Sequence, residues 1–356
     1  MQQHLAHIHA IGTAVPSHDI HRAYIDWAEA RLSDRRERAL FRRMAARSGI
    51  DHRWSVLPPT PGGGSPVEPG GFYHGNSLPP TSARMALYAK TAPELAIAAI
   101  AALSERASIE GVTHLVLASC TGFVAPGVDQ LIIERLGLSP SIERTVVGFM
   151  GCYAAVAALR VAHHIARSEP EARVLVITVE ISTLHLTNQL DMESLLAELQ
   201  FGDGAAAALV CAEPAGLRLQ RFFSATIPGS SELIQWVIGD SGFEMTLSGQ
   251  VPGRIASAMR DPEFRENMLQ GRAPQSVAWA VHAGGRSILD AVAHGLDLPG
   301  EALGDSREVL RSCGNMSSAT LMFVLARMME SGNSQAGIAI AFGPGLAAEG
   351  FDFSRP

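Results

Sequence analysis

The chain has 356 residues, of which 47% are hydrophobic and 18% charged, and its net charge is −7. That size and composition give a globular chain with a large core, long enough for two domains or one duplicated domain, and exclude a disordered one. The acidic balance argues against a general nucleic-acid binder, and no apolar run is long and uninterrupted enough to predict membrane insertion.

The opening segment, "MQQHLAHIHAIGTAVP", lacks a basic start followed by an apolar stretch, so no signal peptide is expected. Residues 22–47 read as one highly charged helix and residues 58–82 as a loop rich in Pro and Gly. A helical pattern runs from Thr91 to about Ala107, with Lys90, the only lysine, at its start. With no Gly-rich loop ending in Lys, Walker-A chemistry is excluded, and Schiff-base chemistry would rest on Lys90 alone. Short apolar runs predict buried strands at Thr113–Cys120, Arg144–Met150, Ala172–Ser182 and Gly204–Ala212, with a helix beginning near Cys152. Strands separated by helices imply a layered α/β fold around a buried sheet. The pattern restarts after Glu213–Pro214, which divides the chain into 1–214 and 215–356. "GLRLQRFFSATI" and "GFEMTLSG" read as strands, and Ser276–Gly285 as a strand carrying His282. "SATLMFVLARMMES" is a helix, and "QAGIAIAFGPGL" a last strand and turn.

The four cysteines, Cys120, Cys152, Cys211 and Cys313, form no CxxC pair and no His/Cys ligand cluster, so no metal site is expected. Reduced thiols in a cytoplasmic protein fit this pattern. Cys152 stands where a strand hands over to a helix, and unpaired N–H groups and the helix dipole there favour a thiolate. Taken alone, the segment favours a buried structural cysteine over a nucleophile. His282 emerges at a strand–turn–helix junction beside two glycines, where sites are often built; the plainer reading is a hydrogen-bonded core histidine. Asn315, before a helix-starting Ser, is either a cap or an amide donor aimed at an oxyanion. Together the three suit acyl transfer. A papain-like protease would place its cysteine near the mature N-terminus and carry disulfides, and this chain shows neither feature.

Seven ordered segments carry a resemblance across most of the chain: "THLVLASCTGFVAPGVDQLIIERLGL", "GFMGCYAAVAALRVAHHIA", "ARVLVITVEIS", "LQFGDGAAAALV", "VHAGGRSILD", "CGNMSSATLMFVL" and "IAFGPGLAAEG". They resemble the thiolase-like condensing enzymes, and within them the type III polyketide synthases of the chalcone synthase kind. The resemblance implies a layered α-β-α-β-α fold built from two similar halves. Cys152 then matches the acyl-carrying nucleophile. His282 and Asn315 match the pair that holds the thioester carbonyl and the enolate formed when malonyl-CoA loses carbon dioxide. Such a His–Cys pair is expected to rest as thiolate and imidazolium. Phe201 matches the gatekeeper beside the CoA tunnel, and Gly343, Pro344 and Gly345 match the closing turn that shapes the active-site scaffold. Arg43 and Arg47, in a cluster with Arg42, match the CoA-phosphate region. The resemblance implies acyl-CoA and malonyl-CoA as substrates, no metal or redox cofactor, and a homodimer.

Departures from the plant pattern bear on the product. Glu180 and Ser317 match the plant network that steers aldol closure, but its Thr is Cys120, a weak donor that puts the network in question. Met245 replaces a second gatekeeper Phe, Trp236 a small pocket Gly, His185 a pocket Thr, and Ala125 the Met that plant dimers push into the neighbouring site. This set resembles bacterial alkylpyrone and alkylresorcinol synthases and implies an aliphatic starter. Two alternatives stay open: an initiating ketoacyl synthase served by an acyl carrier protein, and a non-catalytic thiolase-like subunit.

Overall fold

A computed structural model describes residues 5–75, 77–332 and 336–355. Its strands, in chain order, are β1 Ala6–Ala14, β2 His18–Asp19, β3 Trp54–Ser55, β4 His114–Ser119, β5 Glu143–Gly148, β6 Val174–Ile181 and β7 Asp203–Cys211. They continue with β8 Leu217–Thr226, β9 Ile234–Gly239, β10 Gly242–Leu247, β11 Ala278–Val281, β12 Ala336–Gly343 and β13 Ala347–Ser354. Nine strands join one mixed sheet in the order β11-β12-β13-β8-β1-β7-β6-β4-β5. The outer pairs β4/β5, β4/β6 and β11/β12 are parallel, and the pairs between are antiparallel.

Side-chain alternation along the strands sorts the core into three packed regions. Leu115, Leu117, Leu175, Ile177, Ala205 and Leu209 face helix Thr81–Ser104. Their neighbours Val116, Ala118, Val174, Val176, Ala206 and Ala208 face inward, onto helices Ala154–Ser168 and Ser318–Ser331. From the other half, Ala339, Ala341, Phe351 and Phe353 enclose the same two helices. Ile338, Ile340 and Ala348 pack outward with Ile255, Leu289 and Val292, from helices Val251–Ala258 and Arg286–Gly295. The result is the α-β-α-β-α layering of a thiolase-like fold, with one central helix from each half.

The structure alters several expected elements. The charged helix at 22–47 is two helices, His21–Arg31 and Arg35–Ala45, because Asp34 caps the second through the Glu37 amide at 3.2 Å. The third helix starts at Thr81, ten residues before the expected Thr91, and carries Pro93 within it; Lys90 is an exposed mid-helix residue. That helix is long and apolar enough to span a bilayer, but its Tyr88, Ala92, Ala96 and Leu103 are packed in the core. The run Arg144–Met150 is not buried. It forms β5 at the sheet edge, with Val146 55% exposed, because only β4 pairs with it. The strand expected at Ser276–Gly285 is shorter, Ala278–Val281, with a turn at Pro274–Ser276 before it. Strands β1, β9 and β13, and the two-residue β2 and β3, are not among the strands expected from the sequence. Gln335, expected to open the last strand, lies outside the described residues.

One crossing sets the sheet against its outer helix. A Cβ at Gly12 of β1 would sit 2.0 Å from the Leu103 amide nitrogen and 2.4 Å from the Ala99 carbonyl oxygen. Both contacts are backbone, so neither can swing aside. Gly12→Ala is expected to destabilise the fold by roughly 1–3 kcal/mol through overpacking, seen as a lower urea midpoint with an unchanged slope.

Candidate active site

The chain reaches Cys152 through a tight approach. Gly151 has φ +73°, and a Cβ there would meet the Pro344 ring at 2.4 Å, so only glycine lets this turn pass the one after β12. Cys152 lies in the 3-10 turn Gly151–Tyr153, which runs straight into helix Ala154–Ser168. Its buried thiol meets the side chains of Ser317 and Asn315.

His282 follows the end of β11, where its N–H donates to the Ile340 carbonyl at 2.8 Å. The ring is buried, yet neither Nδ1 nor Nε2 has a hydrogen-bond partner. A buried imidazole normally finds one, so an unsatisfied ring marks a place held open for a reactant. The reading of His282 as a hydrogen-bonded core histidine therefore falls. Asn315 is locked in orientation. Its Oδ1 accepts from the Ser317 N–H at 2.8 Å, and its Nδ2 donates to the Gly284 carbonyl at 3.2 Å. One amide hydrogen is left free of the backbone; it faces the Cys152 thiol and is open to a substrate oxygen. Ser317 adopts φ +46°, a strained value for a side-chain residue, directly beside this amide.

Burial governs the charges here. It pushes the Cys152 thiol up to about 11, against the opposing pull of Ser317 and Asn315. It draws the His282 imidazole down to about 3. The expected thiolate–imidazolium pair is thus replaced by a neutral thiol and a neutral imidazole. The first turn of the helix does not overcome desolvation in so dry a site.

Beyond Cys152 lies an apolar cavity of about 100 Å³. Cys120, His185, Phe201, Trp236, Met245 and Ser317 all line it. The network around Glu180 is closed despite the thiol: Cys120 Sγ lies 3.4 Å from Glu180 Oε2 and 3.1 Å from Ser317 Oγ. Stronger donors complete it, namely the Cys120 N–H at 3.0 Å, Thr121 Oγ1 at 2.8 Å and the Ser318 hydroxyl. Burial still lifts the Glu180 carboxyl above its usual range. Thr121 and Ser318 were missed in the sequence, though each adjoins a residue that was singled out.

Opposite Glu180 the wall is rigid. His185 donates from Nε2 to the Thr121 carbonyl at 2.7 Å and accepts the Phe243 N–H at Nδ1 at 3.0 Å, which fixes one neutral tautomer. Its ring stacks on Phe243 at 4.3 Å and meets Trp236 edge-on at 5.3 Å. Burial holds this imidazole at about 3. Trp236 is fixed by a 2.8 Å bond from Nε1 to the Cys120 carbonyl, and Met245 lies directly across the β9/β10 ribbon from it. Phe201 is positioned from behind. Arg53, unremarked in the sequence, donates from Nη1 to the Phe201 and Glu198 carbonyls at 2.7 and 2.9 Å.

A second, open groove of about 710 Å³ runs past Arg47, Ser48, Gln200, Ser248 and Arg286. It comes within one residue of Phe201. Arg286, inside the quoted "VHAGGRSILD" but not singled out, donates to the Arg47 carbonyl at 3.1 Å. Arg43 is exposed on the neighbouring helix and does not line the groove, and Arg42 is paired with Glu29.

A thiol and an oriented amide, each just before a central helix, and an unsatisfied imidazole at the end of β11 define a thiolase-like condensing enzyme. Sequence profiles narrow this. Those of chalcone and stilbene synthases match twice, the N-terminal domain over residues 1–214 and the C-terminal domain over 218–354. The chain belongs to this family and is a type III polyketide synthase. It is 36% identical over 291 residues to the alpha-pyrone synthesis polyketide synthase-like Pks18 of Mycobacterium tuberculosis, covering 76% of this chain and 73% of that one. It is 34% identical over 242 residues to 1,3,6,8-tetrahydroxynaphthalene synthase of Streptomyces griseus, covering 66% and 64%. PKS-I of the brown alga Ectocarpus siliculosus superposes with a TM-score of 0.90 at 29% identity over 100% of both chains. The type III domain of Steely1 from Dictyostelium gives 0.87 at 26% identity over 99% of both.

A neutral resting thiol has a kinetic signature. Below a pKa of about 11 the thiolate fraction of Cys152 grows about tenfold per pH unit. The rate at which iodoacetamide inactivates the enzyme, with adduct mapped to Cys152, is expected to climb steadily from pH 7 to pH 9. A rate level across that range would mean a preformed thiolate.

Proposed function

We propose that the enzyme extends an aliphatic acyl-CoA starter with malonyl-CoA and releases an alkylpyrone, an alkylresorcinol or a related phenolic. Cys152 attacks the starter thioester as its proton passes to His282, and CoA leaves as the thiol. Malonyl-CoA then loses carbon dioxide with its thioester oxygen between His282 and the free Asn315 amide hydrogen. The enolate carbon attacks the acyl group on Cys152, and the chain lengthens by two carbons as the thiolate departs. The unsatisfied His282 ring beside the oriented Asn315 amide carries this reading. In comparable enzymes one oxyanion donor is worth roughly 3–4 kcal/mol. None of these steps calls for a metal or redox cofactor. Arg47 and Arg286 line the groove, which supports their meeting CoA phosphates there, with Arg43 contributing from outside it. CoA-thioester chemistry and four free cysteines suit the cytoplasm.

The aliphatic starter is supported by the apolar lining of the cavity and by the rigid Trp236 wall, which leaves little width for a bulky aromatic ring. The 36%-identical relative named for alpha-pyrone synthesis points the same way. A homodimer is supported by the open edge of β5, where Val146 is 55% exposed and Phe123 nearby 47%. Apolar strand edges are otherwise a liability to aggregation.

Two measurements test this. Mass spectrometry of products from a starter panel with malonyl-CoA should show hexanoyl to lauroyl starters outcompeting p-coumaroyl-CoA, with no product from Cys152→Ala; the opposite preference would sink the aliphatic reading. In light scattering, the wild type should run at twice the chain mass, and Val146→Asp should shift it toward the monomer. A wild-type monomer would refute the dimer.

A further inference from the structure

Residues 1–20 and the loop at 58–82 bear little of the family resemblance, yet Ile20, the loop and the start of the first helix all reach the cavity. Ile20, at the N-cap of helix His21–Arg31, and Ala23 within it line the same space as Cys152. So do Leu57 and, from the Pro/Gly-rich segment, Pro66 and Val67. These side chains are aliphatic, and the cavity surface is mainly apolar although Tyr24, Arg53, Ser65 and Glu198 also line it. We propose that this side of the cavity is a lobe for the hydrocarbon tail of the starter, and that Ala23 and Val67 set the longest tail accepted. The inference rests on the aliphatic-starter reading.

The construction of the segment supports a wall of this kind. Among the described residues, every backbone–backbone hydrogen bond made by residues 58 to 75 stays inside the segment, including Thr60 to Gly64 at 2.8 Å and Tyr73 to Pro66 at 2.8 Å. Gly71 packs so closely on the Pro66 carbonyl that a Cβ would lie 2.4 Å from it. The segment is thus a self-folded flap that turns residues 65–67 inward. It docks through buried side chains and one side-chain bond, Tyr73 to the Thr183 carbonyl at 2.7 Å. The Ser65 hydroxyl, buried against the body, has no partner. A cavity of about 100 Å³ is tight for a long tail. Capacity therefore depends on how far a flap tied by few polar bonds can yield, and on the side chains at its inner face.

Chain length is the readout. Wild type, Val67→Trp, Ala23→Phe and Val67→Ala are compared on hexanoyl-, octanoyl-, decanoyl-, lauroyl- and myristoyl-CoA, with p-coumaroyl-CoA alongside. Each methylene that loses its place costs about tenfold or more in kcat/KM. The two large substitutions are expected to lower the longest starter accepted while hexanoyl turnover stays near wild type, and Val67→Ala to raise it. Retained hexanoyl turnover shows that the variants fold. An unmoved limit in all three variants would overturn the proposal, whatever the aromatic starter does. Preference for p-coumaroyl-CoA by the wild type would overturn the starter reading instead, and a limit that still moved would leave the lobe standing.

Discussion

Asn315 is the point on which the active site hangs. Its backbone N–H donates to the Gln200 carbonyl at 2.7 Å, and its own carbonyl accepts from the Gly202 N–H at 3.0 Å. These two bonds clamp Phe201 between them as an isolated bridge. The side chain of the same residue ties Gly284, two residues beyond His282, and touches the Cys152 thiol. Three stretches distant in sequence therefore take their places from one asparagine. Ser317, held at a φ of +46°, gives its N–H to the amide oxygen, and the nitrogen end turns to the Gly284 carbonyl. The Arg53 guanidinium does the same for Phe201 from the opposite side.

Dryness decides how these groups behave. In water, Cys152 and His282 would exchange a proton readily. In the closed cavity both charged forms lose hydration, and the neutral pair wins although the thiol sits at the start of a helix. His185 shows the contrasting use of the same residue type. Both of its nitrogens are engaged, so it is a fixed wall, whereas His282 has both free. Two histidines with imidazoles held near the same low value thus differ in role through their partners alone.

The sequence made the three chemical residues and the order of most buried strands legible because each is a local pattern. A cysteine at a strand–helix junction and an alternating apolar run both show in a short window. What it hid depends on contacts. The valines of β5 have a core composition, and only the strand order shows that nothing in this chain covers them. Strand β9 carries Trp236 in a ribbon whose outer residues, Val237 and Ile238, are more than half exposed, so its pattern does not read as a core strand. The thiolate expectation failed for a similar reason: proximity to a helix terminus is local, and desolvation is not. Arg43 and Arg47 are four residues apart, one in the helix and one in the turn after it, and only the groove tells which of them lines it.

The weak donor Cys120 need not weaken the Glu180 network, because the carboxylate does not rely on it. The Cys120 backbone N–H, Thr121 and Ser318 already supply its oxygens with good donors. The thiol adds a soft third contact and hands on to Ser317 at 3.1 Å, next to Cys152. A hydroxyl here would bind Glu180 and Ser317 more tightly and hold a more polar wall toward the growing chain. With sulfur instead, this side of the cavity is apolar at the point where a polyketide first leaves Cys152. The polar side chains that remain in the lining, among them Ser317, Thr121, Ser182 and Thr183, share it with the fixed shapes of Trp236 and Met245.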